Sequence, residues 1–391
     1  MEAILMGVKK TDLVIVNRSF WPDGKVIGEG LLQFAEKVAE TNSVMIITQS
    51  NSDLSELLSE AGRGHGIQIK ACRAYTTSSS GLIMRVLESV IFMLWTLIIL
   101  LTTKPKNVYV STNPPIVIPF IVALYCQIFN SRYVYHLQDI HPEATDIVVP
   151  LNHVVLYFLK AVDNYTLRHA SVIITLSESM KDYIQQRSAT QSPIFLLDNP
   201  SFTVIPVPME ERTRDIVFCG NAGRLQRIPL LLSAIRGYLE QGGRMCFTFA
   251  GTGVYASQIQ ELANIYGQVH YLGLLSVNKA TELVNDHRWA LLPIDDEVTK
   301  YAFPSKSSGY ALSGAGILAI CKQETSVARW VLDLNIGLVC EPEYNALVSF
   351  FFMLEGNDGK KFHLNDEMRQ RLQMKYFSEK LRDISMNQSL M

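Results

Sequence analysis

The run Leu13-Val14-Ile15-Val16 is short, apolar and β-branched, and a loop holding Pro22, Gly24 and Gly28 leads from it into Leu31, Phe34, Ala35 and Val38 at helical spacing. That order predicts a strand, a glycine loop and a helix. Similar apolar runs at 44–48, 108–111, 133–137 and 172–176 predict four more strands, each followed by a loop or a helix-like stretch. The second half repeats the pattern at 216–219, 247–250, 269–272, 290–292, 317–321 and 338–340. Such alternation predicts α/β domains, each built on a parallel sheet covered on both faces. The turn residues of Leu197-Asp198-Asn199-Pro200-Ser201-Phe202 mark the boundary. This gives a first domain over 1–198, a second over 199–375, and a polar, helix-like segment over 376–391, with Lys360-Lys361 in a polar stretch before it.

A length of 391 residues agrees with two domains of about 150 residues or a little more. With 48% apolar and 18% charged residues, intrinsic disorder is excluded as a main theme. A net charge of -2, from 35 basic and 37 acidic residues, leaves no chain-wide field for gripping nucleic acid. The 6 cysteines form no CxxC pair, which fits a reducing, cytoplasmic compartment. Met1 to Lys10 lacks the long apolar core and cleavage site of a secretory signal.

The uncharged stretch Ser89–Thr103 is shorter than the roughly 20 residues that cross a bilayer. Around it, Arg85, Lys104, Lys106 and Arg132 outnumber Glu88, the pattern of a helix lying on an anionic membrane. A buried core helix fits the same stretch, and the two readings are compatible.

Open parallel sheets bind ligands beyond the carboxyl ends of their strands, so the chemistry is expected on strand-to-helix loops. The loop Gly220-Asn221-Ala222-Gly223-Arg224-Leu225-Gln226-Arg227 joins backbone N–H groups to two guanidinium groups, a combination suited to phosphate. A Gly-x-x-Gly turn without a ligand has the same spelling. In Phe303-Pro304-Ser305-Lys306-Ser307-Ser308, a lysine and serine hydroxyls offer what a diphosphate requires, although Lys306 alone also describes a solvated surface residue. In Gln138-Asp139-Ile140-His141-Pro142-Glu143, Asp139 and Glu143 lie four apart with His141 between them. A carboxylate and an imidazole there are suited to positioning or deprotonating a hydroxyl; a capped turn ahead of a helix started by Pro142 is the plainer alternative. No metal-ligand spacing of His, Cys or Asp is present, and no GxSxG elbow.

Taken in order, Pro22 with Gly24 and Gly28, Asn113-Pro114-Pro115, Gln138 to Glu143, Ser177-Glu178-Ser179-Met180-Lys181, Asn199, Gly220 to Gly223, Ala250-Gly251-Thr252-Gly253, Leu272-Gly273, Pro304-Ser305-Lys306 and the stretch 311–319 resemble retaining glycosyltransferases of family 4. The resemblance covers nearly the whole chain. It is closest to the bacterial branch that builds O-antigen and capsule units and includes N-acetyl-L-fucosaminyl transferases.

The resemblance implies the GT-B fold, two Rossmann-like parallel-sheet domains facing across a cleft, with the last helix crossing back to the first domain. It implies a nucleotide sugar as co-substrate, a UDP-linked N-acetylated deoxyhexosamine among the candidates, with no cofactor and no metal. Carried over by position, Gly28, Gly220, Asn221, Gly223, Arg224, Pro304, Ser305, Lys306 and Gly309 would surround the donor. Gln138 and His141 would meet the acceptor, and Asp139, Glu143 and Lys306 would serve the chemistry. The front-face route of the family lets the donor phosphate assist the incoming hydroxyl, without a protein nucleophile. The acceptor implied is a saccharide on undecaprenyl diphosphate, reached by peripheral contact with the inner face of the cell membrane.

Two departures stand out. Where family members carry two glutamates eight positions apart, this chain has Tyr301 and Gly309, and where many have a histidine it has Gln138, which cannot act as a base at neutral pH. An inactive nucleotide-sugar-binding or scaffold protein of the same fold is therefore the competing expectation. A nucleotide-sugar epimerase would need a carboxylate cluster in the second half that the sequence does not offer.

Overall fold

The computed structural model describes residues 11–76, 81–356 and 362–387; Met1–Lys10, Lys360-Lys361 and the final residues 388–391 lie outside them. β1 (Leu13–Val16) and β2 (Val44–Gln49) are buried along their whole length, because a strand covered by helices on both faces must be apolar on both. With β3 (Ile67–Cys72), β4 (Asn107–Ser111), β5 (Arg132–His136), β6 (Val172–Thr175) and β7 (Ile194–Leu196) they form a seven-stranded sheet in the order β3-β2-β1-β4-β5-β6-β7. The second half forms a six-stranded sheet from β8 (Arg214–Cys219), β9 (Phe247–Ala250), β10 (Val269–Tyr271), β11 (His287–Pro293), β12 (Gly316–Ile320) and β13 (Gly337–Cys340), in the order β10-β9-β8-β11-β12-β13. Every pairing is parallel. In both sheets the strand order reverses beside the first strand, which opens the carboxyl ends there.

Two strands went unforeseen. β3 alternates half-buried and exposed positions at the sheet edge, and β7, although apolar throughout, is only three residues long.

One compact unit takes in Met1–Asp198 and Met374–Met391, and the other Asn199–Gln373. The helix Met374–Met386 belongs to the first because Phe377, Leu381 and Ile384 enter its core beside the helix Lys25–Ala39. Gly30 permits this: a Cβ there would come within 2.8 Å of the Phe377 ring. Gly28 is not in a loop as expected. It sits in the first turns of the helix Lys25–Ala39, where a Cβ would stand 3.0 Å from backbone atoms of Phe20 and Trp21, so its missing side chain lets the helix pack on the preceding turn.

The apolar stretch of the first half is also longer than expected. It forms the 22-residue helix Leu82–Thr103, and Met84–Thr103 is long and apolar enough to cross a membrane, so the length argument against a span does not hold. Glu88, Phe92, Thr96, Ile99 and Leu100 bury one face, and the helix packs against the helix Val117–Phe129 and the edge of the sheet. Met84, Leu87, Ile91, Leu94, Ile98 and Leu101 form an exposed stripe at spacings of three and four. On the other flank of Val117–Phe129, the helix His153–His169 exposes Val154, Val155, Tyr157 and Phe158.

Replacing Phe377 with alanine is expected to destabilise the first unit by about 3–5 kcal/mol. Hydrogen exchange in urea should show earlier opening of Lys25–Ala39 and β1 while the second unit is unchanged.

Candidate functional site

In the second unit, β8 and β9 end in glycine turns that interlock. Gly220, Gly251 and Gly253 have φ of 147°, 128° and 144°, which favours glycine. A Cβ on Gly251 would stand 1.9 Å from the Gly220 carbonyl oxygen. The backbones instead bond to each other, Gly220 N–H donating to Ala250 O at 2.8 Å and Ala222 N–H to Thr252 O at 2.7 Å. The Gly223 N–H donates to Gln226 Oε1 at 3.1 Å. The amides of Gly220 and Gly223, two of the three residues expected to face a phosphate, are thus spent inside the fold, as is that of Ala222. The two guanidinium groups part company as well: Arg224 is exposed, whereas Arg227 donates to Ile294 O and Asp296 Oδ2, tying its loop to the end of β11.

What faces the Gly220 turn is Lys306. Pro304 O accepts from Ser307 N–H at 3.1 Å, a turn that leads into the helix Ser307–Ser313, while Ser305 is exposed. The Lys306 Nζ is buried without a hydrogen-bond partner, 3.8 Å from the centroid of the Phe218 ring. A Cβ on Gly220 would lie 3.3 Å from it. Burial pushes its pKa down to about 7. Four residues on, the buried Tyr310 hydroxyl accepts from Cys219 N–H at 2.9 Å and donates to Cys219 O at 3.0 Å, pinning the end of β8 beneath the amine. Ser308 Oγ donates to Asn199 O at 2.6 Å. Gly309 is half-buried with Ser201 Oγ 3.2 Å from its Cβ position, and the Tyr301 hydroxyl donates to Glu297 Oε1 at 3.0 Å. Phe218 and Tyr310 were not singled out from the sequence. The four-residue step from Lys306 to Tyr310 was the signal available for the second.

In the first unit, the loops after β4 and β5 are joined by Thr112 N–H donating to His136 O and Gln138 N–H to Thr112 Oγ1. The Gln138 Nε2 is buried with no partner. Burial pushes the Asp139 carboxyl up to about 6, leaving a base that is mostly ionised at neutral pH and ready to take a proton. His141, held to Thr145 Oγ1 at 2.8 Å, is pushed down to about 4 by burial and is neutral at pH 7.

Glu143, expected to work beside Asp139, is committed elsewhere. It accepts from Tyr183 at 2.7 Å and Arg187 at 2.8 Å, with Lys160 at 3.4 Å. Burial opposes its charge, but Arg187 and Tyr183 outweigh that and hold it below the usual carboxylate range. Arg187 also pairs with buried Asp163 and donates to His141 O at 3.1 Å, so the network fixes the turn that carries Asp139. Among the described residues no group of three or more His, Cys, Asp or Glu side chains is placed to hold a metal ion.

No family model matches the sequence. Over 270 residues, 64% of this chain and 67% of the other, it is 21% identical to the protein named "Probable glycosyltransferase WbjE" of Pseudomonas aeruginosa. The structure superposes on that of Anabaena HepE in complex with UDP with a TM-score of 0.64, at 14% identity and over 95% of this chain and 99% of that one. It superposes on WaaG, a glycosyltransferase involved in lipopolysaccharide biosynthesis, with a TM-score of 0.59 at 13% identity, over 97% and 96% of the two chains. The two parallel-sheet α/β units are those of the GT-B fold.

A neutral amine must gain a proton to hold an anion well. Pyrophosphate binding is therefore expected to take up a proton near pH 7.5, and to weaken by up to tenfold per pH unit above about 7. Calorimetry in buffers of different ionisation enthalpy checks this; Lys306→Gln should remove the linkage, and an affinity flat from pH 6.5 to 8.5 would refute it.

Proposed function

We propose that the protein is a retaining glycosyltransferase of bacterial surface polysaccharide synthesis, O-antigen or capsule. It moves a sugar, for which a UDP-linked N-acetylated deoxyhexosamine is the leading candidate, from its nucleotide to a saccharide on undecaprenyl diphosphate. The observation that carries this reading is the buried, unpartnered Lys306 amine against Phe218 at the carboxyl end of β8, in a GT-B fold. The 21% identity to a named glycosyltransferase supports the reaction class.

In this reading the bond from the anomeric carbon to the diphosphate oxygen breaks while the acceptor hydroxyl bonds to the same face. The hydroxyl proton passes to the departing diphosphate. Lys306, protonated as the diphosphate binds, offsets the charge that grows on the leaving group, an effect worth several kcal/mol where water is excluded. Arg224, exposed, adds a second cation, and the Gly220, Asn221 and Gly223 turn together with Pro304 and Ser305 shape the space around the phosphates. Gly309, whose missing side chain makes room for Ser201 Oγ, borders the donor. Asp139 orients the acceptor hydroxyl, Gln138 Nε2 donates to the sugar, and His141 lines the same turn as a neutral group. Glu143 acts through Arg187 as a positioning residue.

The acceptor lipid calls for a membrane surface, and the apolar stripe of Leu82–Thr103 with the exposed face of His153–His169 supplies one. The acids of these helices, Glu88 and Asp163, are buried and paired with Arg18 and Arg187, whereas Arg85 and Arg168 are exposed. A surface that is apolar and positive fits peripheral docking on the anionic cytoplasmic leaflet.

With UDP-, GDP- and dTDP-sugars and a short lipid-diphosphate saccharide in EDTA, product is expected, and Lys306→Ala should lower kcat/KM at least tenfold, about 1.4 kcal/mol. The acid limb of kcat/KM should lie near pH 6 and disappear in Asp139→Asn. If no donor gives product but one raises Tm, the inactive-scaffold reading replaces this one. Converting Leu94, Ile98 and Leu101 to serine should abolish sedimentation with vesicles while Tm holds, because these side chains touch solvent; unchanged sedimentation sinks the membrane reading.

A further inference from the structure

Lys104, Lys106 and Arg132 meet around a cavity of about 300 Å³ at the amino ends of β4 and β5. This is the opposite end of the first sheet from Gln138 and Asp139. Two chain reversals build it. The helix Leu82–Thr103 ends at Lys104 with φ 45°, and the helix Val117–Phe129 ends at Asn130 with φ 51°; each turn feeds straight into its strand. Tyr125 and Phe129, stacked with centroids 4.8 Å apart, make the apolar wall.

The charges are not all accounted for by the fold. Lys106 pairs with Asp12 at 2.7 Å and helps hold that carboxyl down at about 2. The carbonyls that cross the turn have partners of their own: Ser131 Oγ donates to Pro105 O at 2.8 Å, and Arg132 N–H to Lys106 O at 3.1 Å. Lys104 is exposed. Arg132 reaches Asn387 O only at 3.4 Å, and its Nε is buried with no partner. A guanidinium with a buried, unused N–H beside two lysines is an arrangement suited to a phosphate, which a planar fork binds through two parallel hydrogen bonds.

The rim indicates where that phosphate comes from. Leu101, the last residue of the exposed stripe, lies three residues before Lys104, and Ile128 and Phe129 are 74% and 43% exposed at the end of the neighbouring helix. A soluble anion has no use for an apolar rim. A phospholipid does, because its acyl chains lie against the rim while its headgroup enters the cavity. We propose that this cavity binds the phosphodiester headgroup of an anionic phospholipid, with Arg132 and Lys104 as its main ligands. The site rests on the membrane-docking reading above and adds to it lipid selectivity at one end of the apolar surface.

The test uses the full chain with phosphatidylglycerol and phosphatidylcholine vesicles at about 0.15 M salt, where distant charges are screened. The wild type is expected to bind phosphatidylglycerol at least tenfold more tightly. Arg132→Gln and, separately, Lys104→Asn, which keeps a residue tolerant of positive φ, should erase that preference and leave phosphatidylcholine binding and Tm unchanged. A preference that survives both substitutions would overturn the proposal, as would inorganic phosphate binding as tightly as the vesicles and displacing them, which would make this a soluble-anion site. The serine variant of Leu94, Ile98 and Leu101 keeps the two ideas apart. Loss of binding to both vesicles in the serine variant, with the cavity variants losing only the phosphatidylglycerol preference, supports both readings, and intact binding in the serine variant removes the docking surface alone.

Discussion

The second unit is organised around a lysine amine held in apolar surroundings without a partner. Taking such a group out of water is costly, and the protein meets the cost by lowering its hold on the proton and by resting it on the Phe218 ring. Everything near it serves that placement. Tyr310 closes on both backbone groups of Cys219, and the glycine turns after β8 and β9 interlock so closely that no side chain fits at Gly251. The result is a rigid floor above which the Lys306 amine remains a buried donor with no hydrogen-bond partner.

The first unit solves a different problem. Its Asp139 turn is held by a buried network in which Arg187 bridges Glu143, Asp163 and the His141 carbonyl. Removing one member of such a network leaves an uncompensated charge in the interior. The carboxylate that is committed and the one that is left titratable are therefore complementary: Glu143 carries the structure and Asp139 stays adjustable. On the same unit, the helices Leu82–Thr103 and His153–His169 send their acids inward and their apolar side chains outward, so the surface follows from where the acids are buried.

The glycines show how one residue type serves several constraints. Gly30 admits the Phe377 ring, Gly28 lets a helix lie against its own preceding turn, and Gly251 accepts a carbonyl oxygen. The turns after β8 and β9 combine this closeness with a positive φ, and at Gly220 with the neighbouring Lys306 amine. Spacing along the chain does not separate these roles, because each is set by the atom that stands where the Cβ would be.

Much of the fold was legible in the chain because burial on both faces forces continuous apolar runs, and β1, β2 and the central strands of both sheets carry them. The edge strands β3 and β7 were not legible, since β3 has one partner and alternates half-buried with exposed positions, and β7 is only three residues long. The apolar helix was visible in part: the uncharged core of Leu82–Thr103 stood out, but Glu88 interrupted the pattern, and only its burial against Arg18, Tyr75 and Thr76 shows why an acid lies within so apolar a helix. The same holds for the candidate site. By itself the sequence determined two parallel α/β units and named Lys306 and Asp139 as candidates, because periodicity and residue chemistry are local properties. Tertiary structure alone decided that Lys306 lies on Phe218, that Glu143 is committed to Arg187, and that Gly28 packs a helix. Each depends on residues far apart in the chain meeting in a shared low-dielectric interior, and no local pattern records that.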